Sequence, residues 1–248
     1  MANSPRLFPT TSESLVGDFG APEQKRRESA LAAFCAVYYP PLYGYARAMG
    51  FQEADAQDRV QDFFMEVVRR DMLQRYSRES GGRFSAWLIT CFKNLVFNHQ
   101  AQRRTQKHGG KYQFVEFDPA HAEKTYQTSY LTQLDPDPTF DLMLAREIWR
   151  LARPALIALH RGKNSQALVM DLIPNVLMDQ WPGKPEASQE EVAARHGTTA
   201  VRLKAFFNRT LKTQTRRCFE EAGRMASSGI SDSELDHLWH LLCHYGEA

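Results

Sequence analysis

Apolar residues recur at three- and four-residue spacing along most of the chain, a period that predicts helices rather than strands. From Glu28 to about Arg104 the pattern is helical. Leu31, Phe34, Tyr38, Leu42 and Tyr45 form a first stripe. Pro40 and Pro41 are expected to bend or break it, and Gly50 to end it. Val60, Phe63, Phe64, Val67 and Val68 mark a second helix, and Ser80-Gly81-Gly82 a loop. Phe84, Trp87, Leu88, Cys91, Leu95 and Val96 form a third stripe, closed by Gly109-Gly110. Residues 111–138 change character. Tyr112, Phe114, Val115 and Phe117 suggest a short extended segment, and Pro119 with Asp135-Pro136-Asp137-Pro138 argues against a long helix, so this stretch is expected to be a linker. Helical periodicity returns at Phe140, Leu144, Ile148, Leu151 and Ala155. A further helix is expected over Ser165–Met178, a turn at Trp181–Pro185, and a last helix after Ser231.

The expected fold class is therefore all-α, with two small helical domains joined by a linker. The boundaries follow from the breaks: a loose extension over 1–27, a first domain over 28–110, the linker over 111–138, a second domain over 139–224, and a helical extension over 225–248. The length of 248 residues is enough for two such cores. No apolar run reaches the roughly 18 residues that a membrane span requires. The opening residues lack the apolar core of a signal peptide, so a cytoplasmic protein without membrane insertion is expected. Cys35, Cys91, Cys218 and Cys243 lie far apart and form no CxxC pair, which fits reduced thiols in such a compartment.

A net charge of +2 decides nothing by itself, but its distribution does. From Ser80 to Val115 there is no acid, while Arg83, Lys93, Arg103, Arg104, Lys107 and Lys111 are basic. From Val192 to Phe219 there is again no acid, and Arg195, Arg202, Lys204, Arg209, Lys212, Arg216 and Arg217 are basic. Glu53, Asp55, Asp58, Asp62 and Glu66 form an acidic stretch between the N-terminus and these blocks. Two basic blocks in a near-neutral chain point to two contacts with a polyanion; the alternative is that both are solvated helix faces.

The second basic block carries a local signature. Ser188 and Glu191 stand at the spacing of a capping box, which satisfies orphan amides at a helix start. Gly197 suits the left-handed turn that stops a short helix, and Thr198 or Thr199 can cap the next one. Leu203, Phe207 and Leu211 then face inward, leaving Arg202, Lys204, Asn208, Arg209 and Lys212 outward. This is the arrangement of a helix-turn-helix that lays its second helix in the major groove. There Arg reads guanine, Asn reads adenine and Lys neutralises phosphate. The bland alternative is a bundle hairpin with a charged outer face.

The first domain is more specific. Asp55-Ala56-Gln57-Asp58-Arg59-Val60-Gln61-Asp62-Phe63-Phe64 resembles the D-A-x-D-x-x-Q-[DE]-x-F signature of extracytoplasmic-function sigma factors of the sigma-70 family. Phe84-Ser85-Ala86-Trp87-Leu88 and Lys93-Asn94-Leu95 resemble the F-x-x-W-L and x-N stretch that follows it. The Gln61-Asp62-Phe63-Phe64 run, the Lys107-His108-Gly109-Gly110 ending and the C-terminal extension resemble the planctomycete-like group. There are two departures: His196 stands where the family has leucine before the glycine, and Arg59 where it has an apolar residue.

The resemblance implies roles. Asp55, Asp58, Gln61, Asp62, Phe64 and Glu66 would dock on core RNA polymerase. Arg83, Phe84, Trp87, Lys93, Asn94, Asn98, Arg103 and Arg104 would hold promoter DNA as it melts, although Trp87 also fits the apolar core. Thr198, Thr199, Arg202, Lys204, Asn208, Arg209 and Lys212 would read duplex DNA. Melting breaks no covalent bond; it takes bases out of the stack at a cost of a few kcal/mol, which stacking and basic contacts must offset.

In the tail, Ser231-Asp232-Ser233-Glu234 has capping-box spacing, and Leu235, Leu238, Leu242 and Tyr245 line one face, suited to packing on the second domain or on a partner. His237, His240 and His244 line a neighbouring face; their spacing alone is a weak case for a metal, and no cofactor is expected. An enzyme is disfavoured, because the sequence has no phosphate-binding glycine loop and no catalytic triad. The expected function is that of an alternative sigma factor, monomeric when free and nucleoid-associated in the cytoplasm. Its partners would be core RNA polymerase, promoter DNA and an anti-sigma factor or other regulator. The alternative is a stand-alone helix-turn-helix regulator.

Overall fold

The computed structural model describes residues 24–70, 72–76, 83–102, 118–127, 131–173, 177, 188–226 and 230–245. Among these residues there are helices and no strands. The expected all-α class is what the chain adopts. Contacts divide the chain into two compact units: residues 12–144 with 224–234, and residues 145–223 with 235–248.

The first unit is built on helix α1 (Gln24–Ala48), α2 (Glu53–Arg69), α3 (Phe84–Gln102) and α4 (Pro119–Tyr126), with the opening turns of α5 (Pro136–Leu159). Pro40 and Pro41 do not break α1. Residues on both sides of the pair are packed into one aromatic core: Phe34, Tyr38, Tyr39, Tyr43 and Tyr45 are buried together with Phe63, Phe64, Phe84 and Phe92. Phe34 meets Phe64 edge to face at 5.9 Å, and Phe63 meets Phe92 at 5.4 Å. Such pairs add about 0.5–1.5 kcal/mol each beyond area burial, so tertiary packing overrides the local cost of proline. The helix ends as expected, with Gly50 at φ +94° and Phe51 N–H returning to Ala46 O at 3.2 Å.

The stretch expected to be a linker is partly helical and packed. Pro119 occupies the first turn of α4 and Pro136 opens α5, positions where a missing N–H costs no helical bond. Asp118 caps α4 by accepting from His121 N–H at 2.9 Å. Glu123 of α4 accepts from Arg47 Nη1 of α1 at 2.7 Å and from the Tyr43 hydroxyl, and Arg47 also lies over the Tyr126 ring at 5.2 Å. Burial works against the ionised Glu123 carboxyl, but hydrogen bonds from Gln127, Tyr43 and Arg47 outweigh it and hold the group below its ordinary value. The extended segment expected at 112–117 lies outside the described residues.

In the same unit, α5 packs its start against α1. A Cβ at Gly44 would overlap the Met143 sulfur, so the glycine is what lets the two helices approach. Arg59, the charged departure in α2, is buried with its guanidinium over the Phe51 ring at 5.9 Å. Its stem fills the place of an apolar side chain and the ring faces its cation.

The second unit holds the remainder of α5, then α6 (Gln166–Leu172), α7 (Gln189–Arg195), α8 (Ala200–Phe206), a π-helical turn (Phe207–Leu211), α9 (Lys212–Ala226) up to Gly223, and α10 (Asp232–Tyr245) from Leu235. Helix α6 covers Gln166–Leu172 of the expected Ser165–Met178, and residues 174–176 and 178 lie outside the described residues. Ile173, the residue before Pro174, keeps helical angles of φ −51° and ψ −44°. Buried His160, at the end of α5, bridges Ser165 Oγ and Gln214 Oε1 at 2.8 Å each, which fixes α9 to the α5–α6 corner. In α10, Leu235, Leu238 and Leu242 are buried and Trp239 meets Phe219 of α9 at 5.3 Å. Of the expected apolar face of the tail, Leu235, Leu238 and Leu242 are thus buried, while Tyr245 is exposed.

Candidate nucleic-acid interface

Helix α2 buries Ala56, Arg59, Val60, Phe63, Phe64 and Val67, which turns its other side to solvent. Asp55, Asp58 and Gln61 are exposed there, and Asp62 is half-buried. Glu66 is occupied: Arg69 holds both its oxygens, at 2.9 and 2.8 Å, and Arg70 pairs with it too. Burial opposes the charge, but these guanidinium contacts prevail and keep the carboxyl below its ordinary value. Phe64 is a core residue, stacked on Tyr39 and edge-on to Phe34.

Helix α3 brings together part of the expected melting set. Phe84 is fully buried at its start. Trp87 is half-buried between Phe84 at 5.5 Å and Tyr76 at 5.3 Å, so it belongs to the edge of the aromatic core. Asn94 is exposed. Asn98 lies within α3 with its side chain outside the described residues, as are Arg103 and Arg104 entirely. The two remaining cations are each matched to an acid of α5: Arg83 Nη1 lies 3.6 Å from Asp141 Oδ2, and Lys93 Nζ 3.5 Å from Asp137 Oδ1. Lys93 also sits over the Tyr45 ring at 5.4 Å. The hydrogen bond with Tyr45 and the charge of Asp137 raise its pKa above the ordinary lysine value. Asp137 and Asp141 were not legible as site residues, because Asp137 reads as part of a proline-rich spacer. Phe97, on the same helix, was also missed; it is 56% exposed.

The α7–α8 hairpin has the expected local chemistry. Glu191 N–H donates to Ser188 Oγ at 3.1 Å, and Ser188 N–H to Glu191 Oε2 at 2.7 Å. Gly197 takes φ +61° in the turn, and Thr199 caps α8 by accepting from Arg202 N–H at 3.3 Å. Leu203, Phe207 and Leu211 are buried. Arg202, Lys204, Asn208 and Arg209 are exposed, Thr198 is half-buried, and Lys212 lies over the Phe207 ring at 5.6 Å. Asn208 and Arg209 sit on the π-helical turn, a widening that the periodicity did not announce. Such turns are frequent at functional sites.

Not every cation in this block faces outward unopposed. Arg195 Nη1 and His196 Nε2 donate to the same oxygen of Asp171 in α6, at 2.7 and 2.8 Å. The polar departure at His196 therefore ties the hairpin to α6 where a leucine would have packed. Arg216 pairs with Glu220 at 2.5 Å and with Asp236 of α10, and Arg217 with Glu221 at 2.8 Å. On α8 and the π-helical turn the exposed cations are Arg202, Lys204 and Arg209.

His237, His240 and His244 are exposed on α10, and no cluster of three metal-ligating side chains is assembled among the described residues. Half of the second capping box forms: Glu234 N–H donates to Ser231 Oγ at 3.2 Å, while the Glu234 carboxylate accepts from Ser85 N–H, at the start of α3, at 3.2 Å. No described helix is long and apolar enough to cross a membrane.

Residues 35–106 match the family model of Sigma-70 region 2. The matched stretch spans the acidic face of α2 and all of α3, and it supports a sigma-70 family factor, a class of non-enzymatic proteins that bind RNA polymerase and melt promoter DNA. No curated protein and no solved structure matches the chain.

Proposed function

We propose that this chain is an alternative sigma factor of the extracytoplasmic-function type, with features of the planctomycete-like group. The observation that carries the proposal is the region 2 match over α2, with its exposed acidic side, and α3. Further along the same chain, a capped hairpin presents Arg202, Lys204, Asn208 and Arg209.

In this reading, the domain at 28–110 docks on core RNA polymerase through Asp55, Asp58, Gln61 and Asp62. Phe64 holds α2 in place from the core, and Glu66 orders Arg69 and Arg70. Arg83, just before α3, and Lys93, Asn94 and Asn98 of α3 receive the strand released by melting. The domain at 139–224 reads duplex DNA through a helix-turn-helix. Two contacts on one chain suit promoter opening: one anchors the duplex, the other stabilises the open strand.

The test is transcription in vitro with core RNA polymerase on a promoter library. The expected result is chain-dependent initiation at a defined subset of templates, with specific DNA binding only when core polymerase is present. A chain that binds one duplex specifically by itself and gives core polymerase no new start sites would be a stand-alone regulator instead.

A further inference from the structure

We propose that Val201 reads the 5-methyl group of a thymine in the major groove and so sets one position of the DNA sequence this chain selects. The proposal rests on the duplex-reading role argued for the hairpin. Val201 is 80% exposed, the most exposed large hydrophobic side chain among the described residues. It lies on α8 opposite the buried Leu203, so the core gains nothing from it. Valine is also a poorer helix former than the alanine or lysine that would suit a solvated site.

Its surroundings give that apolar group a partner. Arg202, Lys204, Asn208 and Arg209 are exposed on the same helical run, which matches the charge of a phosphate backbone and the polar edges of bases. Lys204 and Asn208 follow Val201 by three and seven residues and so share its side of the helix. Duplex DNA offers one apolar feature in the major groove, the thymine methyl. A β-branched side chain on a helix is held in essentially one rotamer, so the valine methyls stand in a fixed place. The Thr199 cap fixes the start of the helix that carries them. A cytosine at that position lacks the methyl, and the polar major-groove groups of a purine would lose water against the valine without gaining a hydrogen bond.

The experiment uses the full chain with core RNA polymerase. Duplexes are selected from a randomised library, and each thymine of the selected duplex is replaced singly by deoxyuridine, which removes only the methyl. Wild type should lose about fourfold in affinity at one thymine, the size of one methyl leaving an apolar contact. Val201→Ala, which favours helix, should bind the thymine duplex correspondingly less well and be indifferent to that replacement. Val201→Thr should retain part of the response through its remaining methyl. Equal responses of wild type and Val201→Ala at every thymine, or no response in either, would overturn the inference while leaving the duplex-reading role intact. If no duplex is enriched, or if Arg202→Ala and Arg209→Ala bind the selected duplex as wild type does, that role fails and the inference with it.

Discussion

His196 Nε2 and Asp171 Oδ2 lie 2.8 Å apart, and this bond joins the end of α7 to α6 in the unit that carries the basic hairpin. Arg195 shares the same acceptor oxygen. Hydrogen bonds from His196 and then Arg195 hold the Asp171 carboxyl below its ordinary value. A carboxyl so lowered contributes stability that is fully present above its unfolded pKa of about 4 and fades as pH falls through the folded value. Asp171→Asn should therefore lower stability at neutral pH by about 1 kcal/mol, since the site is partly exposed. The deficit should shrink in acid. Urea unfolding of both proteins between pH 3 and pH 7, as an approximate range around that titration, checks it; a deficit constant across the range would remove the ionic role of Asp171.

Gly44 is predicted to resist substitution. A Cβ there meets the sulfur of Met143. Gly44→Ala should cost about 1–3 kcal/mol through overpacking, despite the better helix propensity of alanine. Met143→Ala added to it should recover part of the loss, so thermal unfolding of the two single variants and the double variant should be non-additive.

Asp137 is predicted to restrain Lys93. With the acid 3.5 Å from Lys93 Nζ, a DNA phosphate must compete for the ammonium. Asp137→Asn should raise affinity for a single-stranded oligonucleotide about two- to threefold at low salt, and Lys93→Ala should lower it with a shallower salt dependence. Fluorescence anisotropy titrations at several salt concentrations read both; unchanged affinity in Asp137→Asn would show that the pair does not compete with DNA.

What was legible in the sequence was what is local. Ser188, Glu191, Gly197 and Thr199 could be assigned because caps and turns are decided within a few residues, and Leu203, Phe207 and Leu211 because a helix repeats its buried face. The helical class followed from the same periodicity. What was missed depends on neighbours distant in sequence. Pro40 and Pro41 stay helical because an aromatic core encloses them. Residues 119–126 form a docked helix because Arg47 and Tyr43 receive Glu123. Asp171, Asp137 and Asp141 gained roles only when the fold brought them to His196, Lys93 and Arg83. Phe64 and Phe84 sit in a motif assigned to contact, but their burial makes them supports.

The two proposed DNA contacts should fail differently. Arg202→Ala or Arg209→Ala should weaken the closed complex, by about 1–3 kcal/mol where the side chain reads a base. A template with a preopened bubble should not rescue them. Asn94→Ala should leave the closed complex intact and slow opening, and the bubble should partly restore its activity. Initiation rates on closed and preopened templates separate the cases; identical responses would contradict the division of labour.

The central claim is that the acidic side of α2 docks on core RNA polymerase, and the most direct measurement is the affinity of the full chain for core enzyme with and without charge reversal at Asp55 and Asp58. Both side chains are exposed, so Asp55→Arg with Asp58→Arg should change folding stability by roughly 0.5 kcal/mol or less. The account predicts that wild type binds core polymerase and that the folded double variant binds it at least about tenfold more weakly, since like charges set against a basic surface repel. Equal affinity of the two proteins, or no binding by wild type, would contradict it.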